Sequence, residues 1–303
     1  MRFGPSITLV CLLACQSVSA MTFQTRLEKV EWAVEGDKFE CRLIQPISQF
    51  GVGEFVRRAG ERPTFRLKPQ ERWLADGQAV LVAAAAPWRP SMGDIHLGQV
   101  KVSSVQGLNS SQEQGARLIK AMLEGRSPLV KHRGPSGEAL QVRMLPVRFN
   151  QAYEEYTACT ANLLPVNFDQ IRHTEVGFPG GGFDLDDAAK ARLDVLLDYI
   201  KEDPSVTAIQ LDGHSDNSGN RLENRDISRR RALAVSEYLQ AHGFDEERIV
   251  LRFHGESYPK VANTNAQARA KNRRVSIQLK RDHRFEPTQQ AGQSASSAVG
   301  TSG

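Results

Sequence analysis

The chain has 303 residues, 40% hydrophobic and 24% charged, with 39 Lys and Arg against 35 Asp and Glu for a formal net charge of +4. Such a balance suits a globular chain with room for two domains. It is too mildly basic, and lacks the basic stripe interleaved with aromatics, for a nucleic-acid-binding protein. No stretch supplies the roughly 18 uninterrupted apolar residues that cross a bilayer.

Arg2 precedes an apolar run from Ile7 to Ala14, and Val18 and Ala20 satisfy the small-residue rule of a signal-peptidase site. Residues 1–20 are therefore predicted to be a signal peptide, with the mature chain starting at Met21. A second reading takes Leu12-Leu13-Ala14-Cys15 as a lipoprotein box and places lipid on Cys15. Cleavage after Ala20 leaves two cysteines, Cys41 and Cys159. An even pair in an oxidising compartment predicts one disulfide. The alternative is two buried free thiols.

Residues 21–162 are predicted to be a β-rich domain. Phe39–Ile44 alternates loosely, Thr64–Lys68 alternates well, Val80–Val82 is a short apolar run, and Ile95–Val102 holds period two. Gly51, Gly53, Gly60, Pro63, Asp76-Gly77, Pro87 and Pro90 read as turns between them. One helix is predicted, capped by Ser110 or Ser111 with an apolar face of Ala116, Leu118, Ile119 and Met122. Strands follow at Ala139–Met144 and Val147–Phe149. The architecture expected is an antiparallel sheet or small barrel with one helix. Trp32, Trp73 and Trp88 are expected to serve in core or edge packing.

Residues 163–282 change to alternating strand and helix. Val166-Asn167-Phe168 is predicted as the first strand, followed by a Gly-rich loop at Gly177-Phe178-Pro179-Gly180-Gly181-Gly182. A helix then starts near Asp186 or Asp187, carries Ala189, Leu193, Leu196, Leu197 and Ile200 on one stripe, and ends at Pro204. A strand over 206–212 leads through the turn Asn217–Asn220 into a helix of about 221–242, whose buried stripe is Ile227, Ala232, Val235 and Leu239. Ile249–Phe253 is a strand, Asn263–Asn272 is partly helical, and Val275–Leu279 is the last strand. The order describes helices packed on a mixed sheet, so the fold class overall is α+β. Residues 283–303 have little to bury and are predicted to be disordered.

The chemistry concentrates at 212–231. Asp216 leaves the end of a strand, and Arg231 lies at the edge of the buried stripe of the following helix, with Arg229 and Arg230 towards solvent. An arginine offers a planar fork to a carboxylate and an aspartate can take an ammonium. Together they suit the head of an amino acid; equally, they can pair with each other. A calcium loop starting at Asp212 would need glycine where Asn217 stands and a better ligand than His214. His214, Ser215 and Asp216 are consecutive on an extended segment and point alternately, so they do not form a catalytic relay. No catalytic residue, metal or cofactor is predicted.

Gly213-His214-Ser215-Asp216, Gly219, Asn224, Ile227-Ser228, Arg231-Ala232, Val235, Tyr238-Leu239, Gly243, Arg248, Gly255, Pro259, Asn263, Arg269 and Asn272-Arg273-Arg274-Val275 resemble the OmpA C-terminal-like, peptidoglycan-binding family over roughly residues 163–281. Ser215 stands where the family has threonine, Ala268 where it usually has glycine, and residues 169–182 read as a Gly-rich insertion. The resemblance implies an OmpA-like α/β-sandwich that binds the diaminopimelate of peptidoglycan stems. It implies that Asp216 is the acidic contact and Arg231 the basic one, that Asn224 supports the pocket, and that Arg269 and Arg273 are secondary contacts. The arrangement of the whole chain resembles periplasmic proteins of the flagellar motor. That implies a non-enzymatic wall anchor in a ring of several copies, with residues 21–162 attached to the basal body and the stator units held in place. The alternative is an outer-membrane-associated (lipo)protein of the OmpA family with no motor role.

Overall fold

The computed structural model describes residues 20–86 and 89–282. The signal-peptide and Cys15 readings, Trp88 and the predicted disordered tail lie outside the described residues. The chain divides into two compact units after Leu163.

The first unit contains β1 (Met21–Phe23), β2 (Ala33–Gly36), β3 (Glu40–Ile47), β4 (Gly51–Arg58), β5 (Thr64–Pro69), β6 (Gly77–Ala84), β7 (Ile95–Ser103), β8 (Gly107–Asn109), α1 (Gln112–Leu123), β9 (Ser127–Arg133), β10 (Ala139–Arg143) and α2 (Phe149–Ala161). Ten strands form one sheet in the order β1-β10-β9-β6-β7-β8-β5-β4-β3-β2. All neighbours are antiparallel except β1 and β10. The sheet curls, bringing the β1 edge back towards β3. Phe23 packs 5.4 Å from Phe50, and the Thr25 hydroxyl donates to Pro46 O at 2.8 Å while accepting from Ser48 N at 3.0 Å. The curl encloses one core that includes Leu43, Phe55, Phe65, Leu81 and Leu140.

The predicted helix is α1. Its capping box joins Ser111 and Gln114, and Leu118, Ile119 and Met122 face inward. Two predictions for this unit fail. Val147–Phe149 is not a strand: Arg148 turns into the left-handed region at φ 58° and opens α2, so there are two helices. Phe149, the first residue of α2, is buried against the edge of Trp32. Gly51 and Gly53 are not turns but part of β4. Gly53 faces Met144, whose sulfur occupies the place a side chain would need, so glycine here reflects crowding rather than a bend. Trp32 and Trp73 pack against the core, as expected; Trp32 Nε1 also donates to Val147 O at 2.9 Å.

Cys41 of β3 and Cys159 of α2 form the predicted disulfide, with Cα atoms 6.1 Å apart. Cys41 is fully buried. A Cβ on Gly36 would lie 2.7 Å from Cys159 Sγ, so the bridge fits only because β2 has no side chain there.

The second unit contains α3 (Phe168–Ile171), β11 (His173–Gly177), α4 (Asp187–Glu202), β12 (Val206–Gly213), α5 (Arg221–Ala241), β13 (Ile249–Phe253), α6 (Ala266–Asn272) and β14 (Arg274–Arg281). The sheet order is β11-β14-β12-β13, with β14 antiparallel to both neighbours and β13 parallel to β12. Leu193, Leu196 and Leu197 of α4, Val235 and Leu239 of α5, and Ile209, Leu211, Val275 and Ile277 of the sheet are buried. These are the apolar periodicities read from sequence.

The first strand of this unit is misplaced by the sequence reading. Residues 166–168 are not a strand. Asn167 accepts from Gln170 N and Gln170 reaches back to Asn167 N, so a polar capping box starts the short α3 instead. The strand follows at β11. The apparent insertion 169–182 therefore contains all of α3 but its first residue and the whole of β11, and only Phe178–Gly182 remains as Gly-rich loop.

Candidate functional site

The site is assembled where β12 ends. Gly213 has no room for a side chain: a Cβ would press into the Ser228 backbone of α5. That close approach lets α5 lay a polar face, not merely an apolar stripe, against the sheet end. Asn224, Ser228 and Arg231 are all buried there, beside Ala232 and Val235. The Ser228 hydroxyl donates to Arg225 O at 2.8 Å and accepts from Gly255 N at 3.0 Å. Ser215 N donates to Gly255 O at 2.9 Å. The ends of β12 and β13 and the first half of α5 are thus stitched into one frame.

Asp216 follows directly. Its Oδ1 accepts from Ser218 N at 2.8 Å and its Oδ2 from Arg273 Nη1 at 2.7 Å. Gly219, at φ 95°, completes the turn, and Asn220 caps α5 in a box with Glu223. Burial disfavours the charged carboxylate, but the bonds from Arg273 and Ser218 outweigh it and hold the Asp216 pKa below its ordinary value.

Arg231 is only 1% exposed. Its Nε donates to Gly182 O at 2.8 Å, Nη2 to Gly181 O at 2.6 Å and Nη1 to His214 O at 3.0 Å. The guanidinium lies 5.5 Å from the Phe178 ring centroid. It forms no ion pair among the described residues. Burial, with a smaller contribution from Arg273, brings its pKa down to about 10, still cationic at neutral pH. Asp216 and Arg231 therefore do not pair with each other, and Arg231 sits inside the packed face rather than at its edge.

Arg273 is the residue that connects the two. Besides Asp216, it donates to Phe178 O at 3.0 Å through Nε and to Pro179 O through Nη2. Asn224 is buried and donates to the Glu256 carboxylate, tying α5 to the loop after β13. Arg269, on α6, is half-exposed and makes no side-chain bond to Asp216 or Arg231. His214 stacks 5.1 Å from His254. Burial, then Arg274 and His254, pushes its pKa down to about 4, so the ring is neutral at pH 7. The carbonyls of the Gly-rich loop hold both arginines, a role that sequence patterns do not signal because every residue has a carbonyl.

The MotY N-terminal domain family matches residues 23–165, and the OmpA family matches residues 177–273. The first unit is thus the one that the MotY N-terminal domain family matches, and the second the one that the OmpA family matches. The sodium-type flagellar protein MotY of Vibrio parahaemolyticus is 26% identical over 281 residues, covering 90% of this chain and 96% of that protein. Outer membrane porin F of Pseudomonas aeruginosa is 38% identical over 85 residues, 28% of this chain and 24% of that protein. The peptidoglycan-associated lipoprotein of the same organism is 34% identical over 94 residues, 31% of this chain and 55% of that protein. Among solved structures, the C-terminal domain of Helicobacter pylori MotB is 19% identical, covering 37% of this chain and 87% of that chain, with a TM-score of 0.34. Among the described residues, no helix is long and apolar enough to cross a membrane.

Proposed function

We propose that this protein is a non-enzymatic, periplasmic component of the flagellar motor whose OmpA-family domain grips diaminopimelate in peptidoglycan stems. The carrying observation is electrostatic. Among the described residues Arg231 is a buried cation without an acidic partner, and it is linked to Asp216 through the loop that Arg273 also holds. A buried charge is costly unless it is paired, so this site favours an incoming anion. The free end of diaminopimelate brings a carboxylate for Arg231 and an ammonium for Asp216, both on one carbon. In this reading Asn224 supports the pocket, and Arg269 and Arg273 are secondary contacts.

Similarity to a MotY protein along 90% of the chain supports the motor role. In this reading the MotY N-terminal domain attaches to the basal body and the OmpA-family domain holds the wall, so stator units stay fixed against torque. A charge-assisted hydrogen bond contributes about 1.5–3 kcal/mol. One pocket holds the wall weakly; several copies in a ring hold it through avidity. The alternative, a wall-anchoring lipoprotein without a motor role, draws on relatives that match only the OmpA-family domain.

Sacculus pull-down with Asp216→Asn tests the wall contact. The variant keeps an oxygen for Ser218 N but loses the charge that takes an ammonium. Retention on sacculi equal to wild type would sink the assignment. Swimming by a deletion strain tests the motor role: normal swimming would leave only the alternative.

A further inference from the structure

The ligand-binding charges of this site are already engaged by the chain itself. Arg231 spends three donors on the carbonyls of Gly181, Gly182 and His214. Asp216 is occupied by the Arg273 guanidinium, which also holds the Phe178 and Pro179 carbonyls. We propose that the Phe178–Gly182 loop is a self-ligand latch, which an amino-acid head displaces by exchanging its carboxylate for the loop carbonyls at Arg231 and its ammonium for Arg273 at Asp216. This rests on the zwitterion reading of the site given above.

Two features make the loop displaceable. Its tip has no packing of its own: a Cβ on Gly180, Gly181 or Gly182 would meet no atom within 4 Å. The tip is held through its backbone, by two arginines and by the turn bond from Gly181 N to Phe178 O at 3.1 Å. Its ends are fixed: Phe178 is buried and bonded to the Arg273 backbone, and Asp186 caps α4. Such a tip can swing away while both ends stay anchored. With the loop closed, carbonyls satisfy the Arg231 donors and Arg273 neutralises Asp216; with the loop displaced, the ligand carboxylate and ammonium take those two places. With the latch closed, apparent affinity is lowered by the fraction of molecules that are open. Wall contact then becomes adjustable by anything that biases the loop.

Gly181→Ala tests the latch without touching a binding side chain. Gly181 sits at φ 87°, a conformation that an L residue adopts only with strain, and the added Cβ clashes with nothing. The substitution therefore penalises the closed backbone alone. Titration of the full mature chain with free meso-diaminopimelate in a calorimeter should show about tenfold tighter binding than wild type. In the wild type, the Gly181 amide, bonded to Phe178 O in the closed tip, should lose hydrogen-exchange protection on saturation. Affinity of Gly181→Ala equal to or below wild type, or wild-type Gly181 protection that survives saturation, overturns the latch while leaving the zwitterion site intact. Absence of binding by both proteins overturns the zwitterion reading, and the latch with it.

Discussion

Replacing Cys41 and Cys159 together by alanine is expected to destabilise the MotY N-terminal domain and leave the OmpA-family domain unchanged. The bridge spans 118 residues of sequence, all within the first unit. In the chain-entropy picture, a loop of that length restrains the unfolded chain by about 5 kcal/mol at 25 °C, an upper bound because distortion of the native state subtracts from it. For a domain of this size that corresponds to a fall in melting temperature of about 10–20 °C. Gly36→Ala should mimic part of the loss, since its Cβ would crowd the Cys159 sulfur. Native-state hydrogen exchange reads the two domains separately. Amides of β3 and β4 should lose protection in the double variant, while those of β12 and β14 keep theirs. Equal loss in both domains, or none in β3 and β4, would refute the reasoning that the bridge staples one unit.

Asp216→Asn should reduce sacculus retention to background and, by breaking the buried pair with Arg273, lower the melting temperature of the OmpA-family domain while it still unfolds in one cooperative transition, checked by pull-down and calorimetry. Gly213→Ala should destabilise that domain by about 2–4 kcal/mol in urea unfolding, because the new methyl would force α5 off the strand end. Hydrogen bonds outweigh burial to hold Asp203, Asp212 and Asp216 below the ordinary aspartate pKa. Their folded pKa values lie below the unfolded one, so their stabilisation is complete above the unfolded value near pH 4 and lost as pH falls through the folded values. Urea midpoints of the OmpA-family domain should therefore drop steeply below about pH 4, and Asp216→Asn should flatten that slope.

The parts of the fold that were legible in sequence are those where one local rule acts alone. β7, β12 and α4 follow simple periodicity, and the Ser111 cap marks α1. The errors arise where tertiary contacts decide. Gly53 looks like a turn residue until Met144 is placed against it. Residues 166–168 alternate like a strand, but the Asn167–Gln170 capping box makes a helical turn. The site was half legible. The sequence singles out Asp216 and Arg231, and the structure places both side chains at the end of β12, held by Arg273 and by loop carbonyls. Their environment was not legible, because Arg231 reads as a boundary residue on a helical wheel. Only the absence of a side chain at Gly213 allows α5 close enough to bury it.

The position of the disulfide also bears on the proposed role. If one domain holds the motor and the other the wall, the tension carried by the chain between them passes through residues 162–164. It enters the MotY N-terminal domain at the end of α2, a helix attached to its domain through one face, with Phe149, Ala152 and Tyr156 buried. Noncovalent packing of one helical face can peel turn by turn from the pulled end. Cys159, in the last turn of α2, passes the pull to Cys41 on β3. β3 is paired on both sides, with β2 and β4. Resistance to pulling depends on the unfolding rate, not on equilibrium stability alone. A covalent link near the exit point removes the easiest unfolding route, whereas the same bridge placed at the start of α2 would not.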